Sequence, residues 1–326
     1  MKVLVLGGAG YIGSHICKAL DARTYQSLVI DNLSTGHREA VKWSQFIEAD
    51  ILDSSSLTKI LQEQGPFDLI MHFCAKSLVG ESVENPALYY RNNVTGTLNL
   101  LDAMVATGHD KLVFSSTAAV FGLPKTERID ESHPRAPINP YGQSKKIIED
   151  VLVDYHHAYG INSVALRYFN ASGADPDGEI GERHEPETHL IPNILKSVVA
   201  DTAMGLKVFG DKYPTKDGTC IRDYIHVNDL ASAHILAGEF LQQNNGAYAF
   251  NLGNGNGFSV FEVIHAASDI VGRNVSYSIE SPRAGDPPVL VADAHKARTI
   301  LGWHPKYDDI HSIIDTAWKW HQNEKF

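Results

Sequence analysis

Along the first half of the chain, short runs of branched apolar residues alternate with longer stretches whose apolar residues recur at helical spacing. Residues 2–6, 27–30, 45–48, 67–73, 111–115 and 162–167 read as strands. Between them, 14–20, 55–64, 86–107 and 141–159 have the length and polarity of helices. Val3-Leu4-Val5-Leu6 is apolar throughout, which indicates a strand covered on both faces. The alternation predicts an α/β fold: a doubly wound, Rossmann-like parallel sheet with helices on both sides. After Phe169 the rhythm breaks. Gly173, Pro176, Gly178 and Gly181 mark a long irregular connection, and 210–222 is polar. A helix near 228–242 and a strand near 248–252 are expected to return to the first lobe. The expected division is a dinucleotide-binding domain over 1–169, rejoined by about 225–250, and a smaller α/β substrate domain over 170–326.

Glycines sharpen this picture. Gly7-Gly8-Ala9-Gly10-Tyr11-Ile12-Gly13 directly follows the first strand and opens a helix, so Gly8 to Gly13 satisfies G-x-G-x-x-G in the context that gives it meaning. Glycines there let the backbone approach a pyrophosphate, which sits on the helix N-terminus. The second strand ends in Asp31, at the position where a carboxylate accepts from an adenosine ribose and repels a 2′-phosphate. Arg38 would argue for NADP, but Asp31 outweighs it, and NAD is the expected cofactor. Asp31, Asp50, Phe73, Ser115 to Thr117 and Tyr168 to Asn170 all fall at or just past strand ends, where ligands of such sheets bind.

Tyr141 and Lys145 stand four apart, side by side on a helix face. A free phenol with a pKa of about 10 needs roughly 3 units, or about 4 kcal/mol, to serve as a base at neutral pH. One positive charge at about 4 Å supplies about that much at an effective dielectric of 20. Lys145, helped by an oxidised nicotinamide, is thus a sufficient cause for an activated Tyr141.

The chain has 326 residues, 43% hydrophobic and 21% charged, enough for a sizeable core. A net charge of −11 and the lack of any basic run argue against nucleic acid. The first residues already form a strand, without a leader or a long apolar span, so no membrane association and a cytoplasmic location are expected. Cys17, Cys74 and Cys220 are widely spaced and read as small buried hydrophobes. Sixteen histidines raise the question of a metal, but His156-His157 cannot share a helix face and His184 and His189 are poorly spaced; no metal site is expected.

Taken in order, these residues resemble the extended short-chain dehydrogenase/reductase family, specifically its nucleotide-sugar 4-epimerase branch, essentially end to end. The resemblance rests on the glycine loop and on Asp31-Asn32-Leu33-Ser34-Thr35-Gly36, Val79-Gly80-Glu81-Ser82 and Ser115-Ser116-Thr117-Ala118-Ala119-Val120. Tyr141-Gly142-Gln143-Ser144-Lys145, Arg167-Tyr168-Phe169-Asn170, Tyr213-Pro214-Thr215 and Arg222-Asp223-Tyr224-Ile225-His226-Val227 extend it. It implies that Tyr141, with Thr117, takes the proton from the hydroxyl on sugar carbon 4 while hydride passes to NAD. The 4-keto sugar then turns about its bond to the diphosphate and is reduced on its other face. The implied pair is UDP-glucose and UDP-galactose, and a homodimer is implied through the helices near 86–107 and 141–159. By family position, Gly7, Gly10, Tyr11, Ile12, Gly13, Asp31 to Gly36, Asp50 and Ile51 would line the adenosine and diphosphate half of NAD. Phe73, Cys74, Ala75, Lys76, Ser77, Asn92, Phe169 and Lys145 would meet its remaining parts. Ser77 departs from relatives that carry lysine there, and Thr117 replaces the serine of many.

On the substrate side the resemblance implies Tyr168, His189, Leu190, Lys207 and Phe209. Arg222 and Arg283 suit the diphosphate, Asp286 the uridine ribose and Asn170 the diphosphate region. Leu290, at the family's sugar-gate position, is of intermediate bulk and implies weak turnover of N-acetylated sugars at most. A sister 4-epimerase acting on another UDP-sugar shares these signals. A 4,6-dehydratase would need an acid and a base after Thr117, where Ala118-Ala119 stand. A non-catalytic sensor would lack the tyrosine or the lysine.

Overall fold

The computed structural model describes residues 1–200, 206–283 and 286–326. β1 (Lys2–Leu6) shows why its sequence is apolar at every position. Val3 and Val5 pack on Ile16, Cys17 and Leu20 of α1 (Tyr11–Ala22). Leu4 and Leu6 face the opposite layer, with Leu57 and Leu61 of α2 (Ser54–Gln64) and Leu100, Leu101 and Met104 beyond. Successive side chains leave a strand on opposite faces, so covering both faces demands an unbroken apolar run.

β2 (Gln26–Asp31), β3 (Gln45–Glu48), β4 (Leu69–His72), β5 (Lys111–Thr117) and β6 (Asn162–Tyr168) complete the set that the sequence marks. The order is β3-β2-β1-β4-β5-β6, followed by Ala247–Leu252 at the far edge, and every pairing is parallel. The seventh strand lies beside β6 although almost eighty residues of chain separate them. After β3 the chain crosses back to place β4 against β1, so winding direction reverses between these two. A ligand crevice opens there, beyond the carboxyl ends of the strands.

Two boundaries differ from the sequence reading. The fourth strand is shorter than 67–73, since Phe67 and Phe73 lie just outside β4. The stretch 86–107 is not one regular helix. Pro86–Tyr89 and Gly96–Thr107 are α-helical, but Tyr90–Thr95 is a wide π turn. Such turns gather at functional sites because they re-aim side chains, and here Asn93 is turned inward.

Beyond β6, Asn170–Ser172 pairs with Tyr224–His226, and Leu206–Phe209 with Tyr277–Glu280. Ile221–Arg222 lies between Phe258–Ser259 and Val289–Leu290. A separate core forms from Ile194, Leu195, Val263, Ile264, Ile313 and Ile314. Among the described residues no helix is long and apolar enough to cross a membrane.

Candidate active site

The glycine loop turns sharply because Gly7 adopts φ +82°, where a Cβ would stand 2.7 Å from the Phe73 carbonyl carbon. At Gly13 a Cβ would lie 2.2 Å from the Gly7 oxygen, so helix and loop meet only through hydrogen atoms. Gly10 differs: its nearest neighbour would be 3.4 Å away, which is ordinary contact. Gly10 caps α1 without a side-chain bond, and the first helical bond runs from Ser14 N–H to the Gly10 oxygen. The amides of Tyr11, Ile12 and Gly13 therefore precede the helix's own bonding and point at whatever lies before it.

Asp31 accepts from the amides of Ala9 at 3.1 Å and Leu33 at 2.8 Å. Burial raises its pKa while those two N–H groups lower it, and its remaining lone pairs suit ribose hydroxyls. Leu33, at φ +55°, turns the chain there, and Asn32 bridges to Asp50 at 2.9 Å. Ser34 and Thr35 are exposed on the rim. Arg38 lies on the Phe46 ring at 4.5 Å and donates to the Val41 oxygen. Free donors before a helix, a glycine without strain at Gly10 and a buried carboxylate at the second strand's end together fit NAD.

Other sites on this side are less direct. The Ile51 side chain lies in the core under Gly96, so only its backbone can face a ligand. Tyr11 donates its hydroxyl to the Gly173 oxygen at 2.6 Å. Phe73 packs on His234, burial pushes the Cys74 thiol well up, and Ser77 is exposed. Asn93, which sequence reasoning missed, donates to the Lys76 oxygen and Ser144 Oγ and accepts from the Lys76 amide at 2.9 Å. Asn92 donates to Asn93 Oδ1 at 2.9 Å, so the π turn fastens the 74–76 loop to the Tyr141 helix.

That helix, Pro140–Tyr159, begins at an Asn139 cap that accepts from Gly142 N–H at 2.8 Å. It carries Tyr141 and Lys145 to the end of β5, where Thr117 lies near the Tyr141 phenol and accepts from Ala119 N–H at 3.1 Å. Burial raises the Tyr141 pKa, and the nearby Thr117 hydroxyl lowers it in part. Lys145 donates to the Ser115 oxygen at 2.6 Å and lies 4.6 Å from the Phe114 ring centre. Burial lowers its pKa to about 7. Desolvation of the ammonium is the leading cause of that fall. Glu149, one turn further on, offsets part of that loss. It is buried and accepts from Arg167, Arg135 and Ser116. Its spacing of four from Lys145 was a legible signal.

On the substrate side, Arg222 pairs with Asp286, and Arg283 lies 4.1 Å from the Phe209 ring centre. Tyr213 lies close enough to feel the charges of Asp286, Arg222 and Arg283, and its buried hydroxyl has no partner among the described residues. Asn170 donates to the Asp223 oxygen at 2.9 Å. Leu290 is in register with Arg222 and, with Phe169, packs on Ala118, Val120 and Phe121. Lys207 is exposed, and Leu190 packs against the smaller lobe's core. Two placements differ from a free substrate contact: Tyr168 is buried with its hydroxyl bonded to Ser115, and His189 faces Glu182 at 2.7 Å and Glu187 at 3.1 Å. The spacing argument against His184 and His189 also fails. The chain reverses between them and brings the rings to 5.5 Å between centres. Cys17, Cys74 and Cys220 are free thiols.

A doubly wound sheet with a phosphate-binding glycine turn and a tyrosine–lysine pair at its central crevice defines a short-chain dehydrogenase/reductase type of oxidoreductive site. The NAD dependent epimerase/dehydratase family matches residues 3–253. The UDP-glucose 4-epimerase of Lacticaseibacillus casei is 51% identical over 99% of this chain and 97% of its own. The structure of UDP-glucose 4-epimerase from Brucella ovis in complex with NAD superposes with a TM-score of 0.94 at 51% identity, covering 97% of each chain. That from Bifidobacterium longum, in complex with NAD+ and UDP, gives 0.94 at 35% identity over 99% of each. The chain belongs to the NAD dependent epimerase/dehydratase family, among its UDP-glucose 4-epimerases.

Proposed function

We propose that the chain interconverts UDP-glucose and UDP-galactose by inverting carbon 4 of the hexose, using NAD. What supports this reading is that Tyr141 lies near Thr117 at the end of β5, with the Lys145 amine donating to the same strand's Ser115 carbonyl at 2.6 Å. The glycine loop and Asp31 would hold NAD, which when bound supplies a reversible two-electron acceptor for the carbon 4 centre. The chain's own residues handle protons and orientation. Tyr141 Oη takes the proton of the 4-hydroxyl and later returns it, and Thr117 Oγ aligns that hydroxyl. Lys145, with its pKa near 7, supplies a positive charge when the phenolate forms.

The two ends of the substrate need opposite treatment. Arg222 and Arg283 are suited to gripping the diphosphate and Asp286 to accepting from the uridine ribose. Leu290, Phe169 and Ala118 offer the sugar end apolar surface without directional bonds, so the 4-keto sugar is free to turn over. Leu290 is of intermediate bulk, so turnover of UDP-N-acetylglucosamine is expected to be weak at most; comparable rates in the purified enzyme would refute that assignment. Residues 1–169, with about 225–250, form the NAD lobe and 170–326 the UDP-sugar lobe.

A homodimer through the helices between 79 and 159 is the expected assembly: Val83, Tyr90, Val105, Val153 and Tyr159 are exposed apolar residues along them. Sedimentation at micromolar concentration should show it; a monomer alone would contradict it. Free cysteines suit a cytoplasmic setting. The direct test mixes purified protein with UDP-galactose and analyses the products with and without added NAD. UDP-glucose is expected, and no conversion under either condition would overturn the proposal.

A further inference from the structure

Glu182, His184, Glu187 and His189 lie outside the catalytic pair and the glycine loop, yet each places one ligand atom within 4.8 Å of all the others. The chain builds this cluster locally. Glu187 Oε1 accepts from the Thr188 and His189 amides at 2.8 and 2.9 Å, folding the chain so that both rings turn back to Glu182. His184 Nδ1 is 3.1 Å from Glu182 Oε1 and His189 Nδ1 2.7 Å from the same oxygen. Both carboxylates are deeply buried, with side chains 4% and 5% exposed, while the rings reach the surface.

One atom of the four is unsatisfied. Glu187 Oε2 is buried and has no hydrogen-bond partner among the described residues; His184 Nδ1 and the Lys196 ammonium are its neighbours, each at 3.9 Å. A buried carboxylate oxygen without a donor costs free energy unless a cation approaches it. We propose that Glu182, His184, Glu187 and His189 form a binding site for a zinc-class divalent ion.

Two imidazoles and two carboxylates suit a borderline divalent metal of that class better than magnesium or calcium, which take oxygen ligands alone. Two anionic carboxylates also balance a dication. The nearby acidic group Asp175, Asp177 and Glu179 makes an instructive contrast. Lys18 reaches all three at 2.7 to 2.9 Å, so its ammonium already stands where an ion would, and the group carries no site. Outer contacts support the mixed cluster: Trp320 Nε1–H donates to the Glu182 carbonyl at 3.0 Å, and the Tyr11 ring stands edge-on to His184 at 6.4 Å. Through Tyr11 an ion here would brace the first turn of α1, which supports cofactor retention rather than bond chemistry.

Without an ion the same atoms share a proton, and the two carboxylates raise the His189 pKa to about 10. The experiment separates the two states. Chelator-treated full-length protein is titrated with Co2+ and its visible ligand-field absorption recorded, then Zn2+ is added. The expected result is saturation at one equivalent per chain and bleaching by one equivalent of Zn2+. Glu187→Gln changes one atom and preserves shape; it should weaken Co2+ at least roughly tenfold, as should His184→Ala, while Asp177→Asn should bind as the parent does. Circular dichroism establishes that each variant is folded. Absence of a saturable Co2+ band in the parent protein, or equal affinity in Glu187→Gln, would overturn the site and leave a hydrogen-bonded cluster only.

Discussion

Lowering the pH from 7 to 5 should cost this protein most of its stability, through four buried histidines behind the cofactor crevice. His15 lies under the glycine loop and His72 at the end of β4. His226 faces Gly173, and His234 touches Phe73 and Tyr168. Burial is the leading cause that lowers their pKa values, to about 4, 3, 3 and 4 respectively. Geometry gives the same answer. His15 Nε2, His72 Nδ1 and His234 Nε2 are buried without a partner among the described residues, so a proton there would find no acceptor. His226 Nδ1 already accepts from Asn228 N–H at 3.1 Å and caps the helix Val227–Phe240, so protonating it breaks the cap.

The sign follows from linkage. The unfolded chain takes up these protons near pH 6.5 and the folded one only near 3 to 4, so stability is lost as pH falls through that interval. At pH 5 each histidine contributes about 2 kcal/mol of loss at 1.36 kcal/mol per unit, hence about 8 kcal/mol for four as a ceiling. Domain stabilities of about 5–15 kcal/mol make that decisive. Urea unfolding followed by tryptophan fluorescence at pH 7 and pH 5, with bound NAD measured alongside, tests it. A loss below about 2 kcal/mol would show that the histidines do not remain neutral by burial.

Three substitutions probe the remaining reasoning. Tyr141→Phe retains the ring contact with Tyr89 but removes Oη; interconversion should fall by about 10²–10⁴, and an unchanged rate in a coupled assay would falsify the proton-transfer role. Gly13→Ala drives a methyl against the Gly7 oxygen at 2.2 Å. It should destabilise by about 1–3 kcal/mol and lower the NAD released on denaturation; full NAD content would contradict the cradle. Glu149→Gln leaves Arg167 buried without its counter-charge, at about 3–5 kcal/mol in urea unfolding. A cost under about 1 kcal/mol would mean the network is spectator packing.

Local pattern carried much of this molecule. An all-apolar β1, glycines at 7 to 13, Asp31 closing the second strand and a tyrosine four residues before a lysine are statements about contiguous residues. Strand and helix periods and the hard-sphere limits of a glycine turn act over the same short range, so the doubly wound sheet and its cofactor loop were legible. Even Glu149 was within reach, one helical turn past Lys145. What the sequence could not express were quantities belonging to a filled volume. Tyr141 and Lys145 share one helix four residues apart, yet burial drives their pKa values in directions a solvated pair would not take. Asn93 reaches the 74–76 loop only because a π turn, held by packing around it, re-aims the side chain. Arg222 meets Asp286, and His184 meets His189, through chain reversals that no periodicity records. Desolvation depends on every neighbour that excludes water, and those neighbours come from across the chain.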